Sequence, residues 1–214
     1  MLRREGELSS IARLLVDRAS ELEIPILVES EREMRRMSSG ETPQELIALE
    51  GPSPNATLDE LMSRKGLVWV LVGLRYPGNV GFILRSAEVA GAAGVVLATD
   101  WKRSQLPEAL RIGMRADRFF PVIEGEAEVA IAAARRSGRR VVALETAGRT
   151  TPWDADLVTP TAVVVGSETT GISEPILESV DDVIRIPTQG FIPSYNVQSA
   201  VGILLGEWLR QNIE

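Results

Sequence analysis

Three short stretches of this chain concentrate residues that can grip a ligand and steer charge. They are Arg75-Tyr-Pro-Gly-Asn79-Val-Gly81-Phe-Ile-Leu-Arg85, then Val163-Val-Val-Gly166-Ser-Glu168-Thr-Thr-Gly171-Ile-Ser-Glu-Pro175, then Ile186-Pro-Thr-Gln-Gly-Phe-Ile-Pro-Ser194-Tyr195-Asn196-Val. Together they offer carboxamides, hydroxyls, two carboxylates and two guanidiniums set among glycines. Gly166 directly after an apolar run allows close approach of a flat ligand or of another backbone segment. Each stretch also has a plain structural role. Asn79 can cap the helix that follows it, with Arg85 a little under two turns further on. Glu168 can complement a helix N-terminus, an effect of about 0.3–1 kcal/mol. Ser194 or Asn196 can cap the last helix.

The inventory limits the chemistry further. The chain has no Cys and no His, so it has no disulfide, no thiolate or imidazole metal ligand, no cysteine nucleophile and no histidine base. A Ser-His-Asp hydrolase, a Cys-dependent base methyltransferase and a zinc deaminase are excluded on that ground, and no metal is expected. The remaining chemistry runs on carboxylates, Arg, Lys, Ser, Thr, Tyr, Asn and the backbone.

The elements that must position these residues follow from the hydropathy pattern. Residues 66–74 (GLVWVLVGL) form a near-continuous apolar run, the mark of a strand covered on both faces. After it the pattern predicts a helix over 80–91, a strand at 94–98, a helix near 106–114 and a short strand at 119–122. Next come a helix at 126–137, strands at 140–145 and 161–165, a helix from 172, a strand at 183–186 and a helix over 196–211. Strands alternating with helices at this spacing predict an α/β fold, a parallel sheet with helices on both faces. In such sheets ligands bind beyond the carboxyl ends of the strands, where all three stretches fall. Ahead of this, residues 8–23 predict a helix capped at Ser9 or Ser10, IPILVES a short strand, 30–37 a polar helix, and TPQELIALEG a strand near 46–49. Residues 51–60 are rich in turn formers and read as a linker. Residues 1–60 are therefore expected to form a small α/β unit and residues 61–214 the main domain.

In their order, the three stretches resemble the motifs of the SpoU (TrmH-like) branch of the SPOUT RNA methyltransferases. The pattern is PGNVG followed by Arg85, then GSE and GI, then IP and SYNV with the closing helix. It covers residues 67–211, about two-thirds of the 214-residue chain. Residues 105–122 also look like the family's segment between the first two motifs. The resemblance implies a C-terminal trefoil knot, which strand pattern alone does not predict because knots are very rare. It implies S-adenosylmethionine as cofactor, a homodimer, and transfer of a methyl group to a ribose 2′-hydroxyl. By position, Thr146, Gly166, Ile186 and Tyr195 would line the cofactor pocket. Asn79, Arg85, Glu168, Ser194 and Asn196 would form the catalytic set. Residues 1–66 resemble the tail of a small ribosomal-protein-like RNA-binding domain, shorter than usual, with TPQELIALEG its closest match. The chain departs from the family pattern at Phe82, Leu84, Gly113, Thr169 and Tyr195, while the catalytic set is complete.

Methyl transfer from a sulfonium is an in-line displacement at an activated carbon, which needs positioning and removal of a proton from the hydroxyl. The resemblance favours Arg85 for the proton, yet a guanidinium has a pKa above about 12 and is a poor base. The alternative is that Arg85 binds the phosphate beside the target ribose and lowers the hydroxyl's pKa. The expected partner is rRNA or tRNA, with rRNA favoured because members with a full leading domain often act on it. A net charge of −7 argues mildly against nucleic acid, but of 23 basic residues all except Lys65 and Lys102 are Arg, the side chain suited to bidentate phosphate contact. RNA contacts are expected from Arg85, Lys102, Arg103, Arg111, Arg115 and Arg118, and from Arg32, Arg35 and Arg36. The run Arg135-Arg-Ser-Gly-Arg139-Arg140 reads as a solvated helix end. No apolar run reaches the roughly 18 residues of a membrane span, so a cytoplasmic protein is expected. Two rival readings are a non-catalytic RNA-binding factor that keeps the fold and a nucleotide-binding oxidoreductase. The latter lacks a G-x-G-x-x-G after its first strand.

Overall fold

A computed structural model describes residues 1–4, 6–37, 44–50 and 53–213. The chain divides into two compact units, Met1–Gly51 and Pro52–Glu214.

In the first unit β1 (Leu2–Arg3) leads to α1 (Ser10–Glu21), β2 (Val28–Glu29) and α2 (Glu31–Met37). Ser9 caps α1 through its hydroxyl, which accepts from the Ala12 amide at 3.2 Å. β1 and β2 pair in parallel. The strand expected near 46–49 is reduced to a single antiparallel bridge between Leu2 and Leu46. Its upstream residues Thr42 and Pro43 lie outside the described residues, as does the side chain of Arg36.

The second unit begins with α3 (Leu58–Ser63), where the turn formers of 51–60 predict only linker. The first two residues of that linker, 51 and 52, lie outside the described residues. Thr57 and Glu60 form a reciprocal capping box, the Thr57 hydroxyl accepting from the Glu60 amide at 3.3 Å and the Glu60 carboxylate from the Thr57 amide at 2.7 Å. Such a cap offsets the cost of starting so short a helix. There follow β3 (Val68–Val72), α4 (Pro77–Val89), β4 (Gly94–Ala98) and α5 (Gln105–Ile112). Then come β5 (Val122–Glu124), α6 (Ala127–Arg136), β6 (Arg140–Leu144), β7 (Thr161–Val165), α7 (Glu174–Glu178), β8 (Asp182–Ile184) and α8 (Val197–Asn212). β5 starts three residues later than the apolar FFPV suggests, because a 3-10 turn at Ala116–Arg118 carries the chain to it.

All strands of the second unit pair in parallel in the order β5-β4-β3-β7-β6-β8. Side chains alternate along each strand. Trp69, Leu71, Val95, Leu97, Val142, Leu144, Val163 and Val165 bury against α4, α5 and α8 on one face. Val68, Val70, Val96, Val141, Ala143, Ala162 and Val164 bury against α3, α6 and α7 on the other. This two-sided burial is why the strands read as unbroken apolar runs.

One basic residue departs from the solvated helix end expected at 135–140. Arg139 is only 4% exposed. Its Nε donates to the Met62 carbonyl at 2.7 Å, its Nη1 to the Gly66 and Thr161 carbonyls at 2.8 and 3.3 Å, and its Nη2 to the Arg64 carbonyl. Burial pulls its pKa below the ordinary guanidinium value, and the carbonyls hold the charge in place of an acid. The side chain thus staples the α3–β3 connection to the amino-terminal edge of the sheet. Each buried carbonyl left without its donor would cost about 1–3 kcal/mol. Arg135 and Arg136 do lie at the surface, paired with Asp181 and Asp59.

Candidate active site

The carboxyl ends of β6, β7 and β8 and the start of α8 enclose a cavity of about 450 Å³, within the usual range of roughly 300–1,000 Å³ for small-molecule sites. Its walls come from Leu144–Thr146 after β6, from Val165–Glu168 and Gly171 after β7, from Ile186, and from Ser194–Val197 with Ala200 at the head of α8.

The first wall is fixed by Glu145. Its Oε1 accepts from the Thr146 amide at 2.7 Å and hydroxyl at 3.0 Å, and its Oε2 accepts from the Ile172 amide at 3.2 Å. One carboxylate therefore ties the end of β6 to the loop after β7. The second wall turns through Ser167, whose carbonyl accepts from the Gly171 amide at 3.0 Å while its hydroxyl accepts from the Thr170 amide at 3.1 Å. Gly171 adopts φ +65°, open to glycine at little cost. Gly166 has no room for a side chain, since a Cβ there would run into the backbone of Gly171 and Ile172. The loop folds back onto its own start, and only backbone faces the cavity at that point.

The polar rim joins all three motif loops. Asn79 Nδ2 donates to Glu168 Oε1 at 2.5 Å, and Asn196 Nδ2 donates to Asn79 Oδ1 at 3.3 Å. Asn196 Oδ1 accepts from the Gln198 amide at 3.0 Å, so Asn196 is the N-cap of α8. Asn79 is not a cap. The N-cap of α4 is Tyr76, with Pro77 opening the helix, and Asn79 lies within the first turn with its side chain committed to Glu168 and Asn196. Proline at the first helical position explains the shift, because its fixed φ and missing N–H suit that place.

Of the residues expected at the site, Thr146, Gly166, Glu168, Ile186, Ser194, Tyr195 and Asn196 line the cavity, and Asn79 joins them through Glu168. Arg85 does not line it. It stands exposed on α4 and makes no hydrogen bond or ion pair with a described residue. Lys102, Arg103 and Arg111 are exposed. Arg115 is engaged instead: its Nε and Nη2 donate to the two oxygens of Asp117 at 3.0 and 2.9 Å, with Arg115 at φ +59°. Its fork is already filled by a carboxylate, which leaves a phosphate no bidentate contact. Sequence reasoning gave Glu145 and Ser167 no role of their own. The available signal was an acidic residue at the carboxyl end of a buried strand, next to a glycine loop.

A wholly parallel sheet with convergent loops at its carboxyl edge defines an α/β protein whose cavity lies where such sheets bind their ligands. The model of the SpoU rRNA methylase family matches residues 66–206, and the chain belongs to that family. It is 31% identical over 215 aligned residues to the 23S rRNA (guanosine-2′-O-)-methyltransferase RlmB of Pseudomonas syringae pv. tomato, covering 97% of this chain and 85% of that protein. Among solved structures it resembles an AdoMet-bound rRNA methyltransferase from Sinorhizobium meliloti, with TM-score 0.67 and 25% identity over 94% of this chain and 79% of that one. It also resembles the TrmH/SpoU tRNA modifying enzyme of A. aeolicus, with TM-score 0.59 and 26% identity over 72% of this chain and 81% of that one.

Proposed function

We propose that this protein transfers the methyl group of S-adenosylmethionine to a ribose 2′-hydroxyl of RNA, ribosomal RNA before transfer RNA. The observation that carries the reading is the hydrogen-bonded series Glu168–Asn79–Asn196 at the rim of a backbone-walled cavity. The residues present fit the donor. Leu144, Val165, Ile186, Val197 and Ala200 offer apolar surface to a flat ring, while Thr146, Ser194 and Tyr195 offer hydroxyls to polar arms. When bound, the donor supplies an electrophilic methyl on a sulfonium.

The chain's own residues position the acceptor. Asn79 holds Glu168 Oε1, which leaves Oε2 to face the incoming 2′-hydroxyl and receive its proton. Ser194 and Asn196 orient the ribose at the cavity rim. Arg85 acts on the phosphate beside that ribose, as a charge that lowers the hydroxyl's pKa. Lys102, Arg103 and Arg111 add phosphate contacts away from the cavity.

Two further features belong to this reading. The first is a homodimer built on α4 and α8. It is supported by exposed Phe82 and Val89 on α4 and by Gly202 and Gly206 on α8, each with open space beside it. That face carries Arg85, so dimerisation brings a second copy's guanidinium toward the site. The second is a trefoil knot. Its support is the path after β6: Gly148 packs against the Val183–Arg185 backbone, Thr150 bridges Ile184, and the loop after β7 returns over Glu145. The first unit, and residues up to about 60, we assign to RNA binding.

The test incubates the full chain with methyl-labelled S-adenosylmethionine and, in separate reactions, a 23S rRNA transcript and tRNA transcripts, then digests the RNA to nucleosides. Label is expected in a 2′-O-methylnucleoside. Label in a base-methylated nucleoside, or donor binding with no transfer to RNA, would rule the reading out.

A further inference from the structure

Two loops at the carboxyl edge of the sheet, 73–76 after β3 and 99–104 after β4, lie outside the cavity walls. They are bonded into one surface. The Gly73 amide donates to the Ala98 carbonyl at 2.9 Å and Trp101 Nε1 to the Leu74 carbonyl at 2.6 Å. Gln105 Nε2 donates to the Arg75 carbonyl at 3.1 Å, and its Oε1 accepts from the Lys102 amide at 2.9 Å. Four bonds spread over both loops hold them in fixed relation.

That surface presents Arg75, Tyr76, Lys102 and Arg103, all exposed. None of the three cationic side chains makes a hydrogen bond or ion pair with a described residue. The acids beside them are Asp100 and Glu108, also exposed and with side chains that pair with no described residue, so the cations outnumber them in a chain whose net charge is −7. Tyr76 is 59% exposed and contributes no packing to the core. Its carbonyl accepts from the Asn79 amide at 3.1 Å, which makes the surface continuous with the polar rim of the site.

A solvent-facing ring among unpaired cations is the chemistry of single-stranded nucleic acid binding. A base stacks on the ring, and the flanking phosphates meet the cations. A ring cannot stack on a base whose faces are already covered within a duplex, so it selects unpaired RNA. We propose that Arg75, Tyr76, Lys102 and Arg103 form a ledge that holds an unpaired RNA segment next to the target nucleotide. One base lies on Tyr76, and its neighbours' phosphates lie on the three cations. The proposal rests on the RNA-methyltransferase reading above and names its substrate class as a loop or single strand.

The experiment is filter binding of the full chain to an RNA hairpin with an unpaired loop and to a fully paired RNA duplex, across a salt series. Wild type is expected to hold the hairpin more tightly than the duplex. Tyr76→Ala should weaken hairpin binding about tenfold or more, Tyr76→Trp should restore it, and duplex binding should not change. Joint Arg75→Ala, Lys102→Ala and Arg103→Ala should flatten the salt dependence by about two log units per log unit of salt. Affinity for S-adenosylmethionine should stay at the wild-type value in every variant. Unchanged hairpin affinity in Tyr76→Ala, or an unchanged salt slope in the triple variant, would overturn the ledge alone. Wild-type protein that binds the donor yet retains neither RNA would overturn the proposed function and the ledge with it.

Discussion

Replacing Gly166 with alanine is expected to lower affinity for S-adenosylmethionine by about a hundredfold, read by isothermal titration. The added methyl has no free volume to occupy, because the backbone of Gly171 and Ile172 stands where the Cβ must go. Backbone cannot swing aside as a long side chain can, so the loop after β7 must shift as a unit. Inserting a methyl into so tight a contact costs about 1–3 kcal/mol, and each 1.4 kcal/mol is about a tenfold change in affinity. The displaced loop also carries Ser167 and Glu168, so the loss extends to the rim. Gly190→Ala is the control. It sits in the third motif loop with nothing near its Cβ position, and its donor affinity should match wild type. Equal donor binding by Gly166→Ala would mean that this loop does not wall the donor site.

Arg85→Lys is expected to reduce kcat by about a hundredfold or more while donor affinity stays within twofold of wild type, since a charge no longer held against the phosphate by two parallel bonds is in effect one electrostatic stabiliser lost. Lysine keeps the charge but not the planar fork that grips phosphate with two parallel bonds. Arg85 does not line the cavity, so the donor should not sense the change. The effect should fall on turnover of RNA. Glu168→Gln complements it, because the amide removes the proton acceptor and leaves the size of the side chain alone. If Glu168 takes the proton, Glu168→Gln loses turnover across the pH range, and Arg85→Lys loses it without altering the pH profile. Full activity in Arg85→Lys would remove Arg85 from the reaction.

Much of the main domain was legible because its strands are covered on both faces. β4 runs over the very residues 94–98 that the apolar run predicts, and α8 falls within one residue of its expected span. Short elements were harder to read. α3 lies inside a stretch dense in turn formers, and its stability comes from the Thr57–Glu60 box and from burial of Leu61 and Met62 rather than from helical propensity. β1 has only two paired residues, too few for any periodicity to register.

At the site, the motif loops were legible as glycine-bearing turns, but their pairings were not. Asn79 reads equally well as a helix cap or as a ligand residue until its partners are seen across 89 and 117 positions of sequence. Glu145 went unnoticed because its role depends on Ile172, which reaches it only through the fold-back of the second loop. Arg115 and Arg139 show the opposite error. Both look like surface cations in sequence, yet one is bound by Asp117 two residues away and the other is buried among carbonyls. Charge composition counts such residues as available when local geometry has already used them.

The most direct measurement is a crystal structure of the full chain grown with saturating S-adenosylmethionine. Density for the donor is expected between Glu145 and Thr146, Gly166 to Glu168, and Ile186 to Asn196, with its methyl directed toward the Glu168–Asn79–Asn196 rim. Donor density elsewhere on the molecule, or a cavity left without donor at saturation, would contradict it.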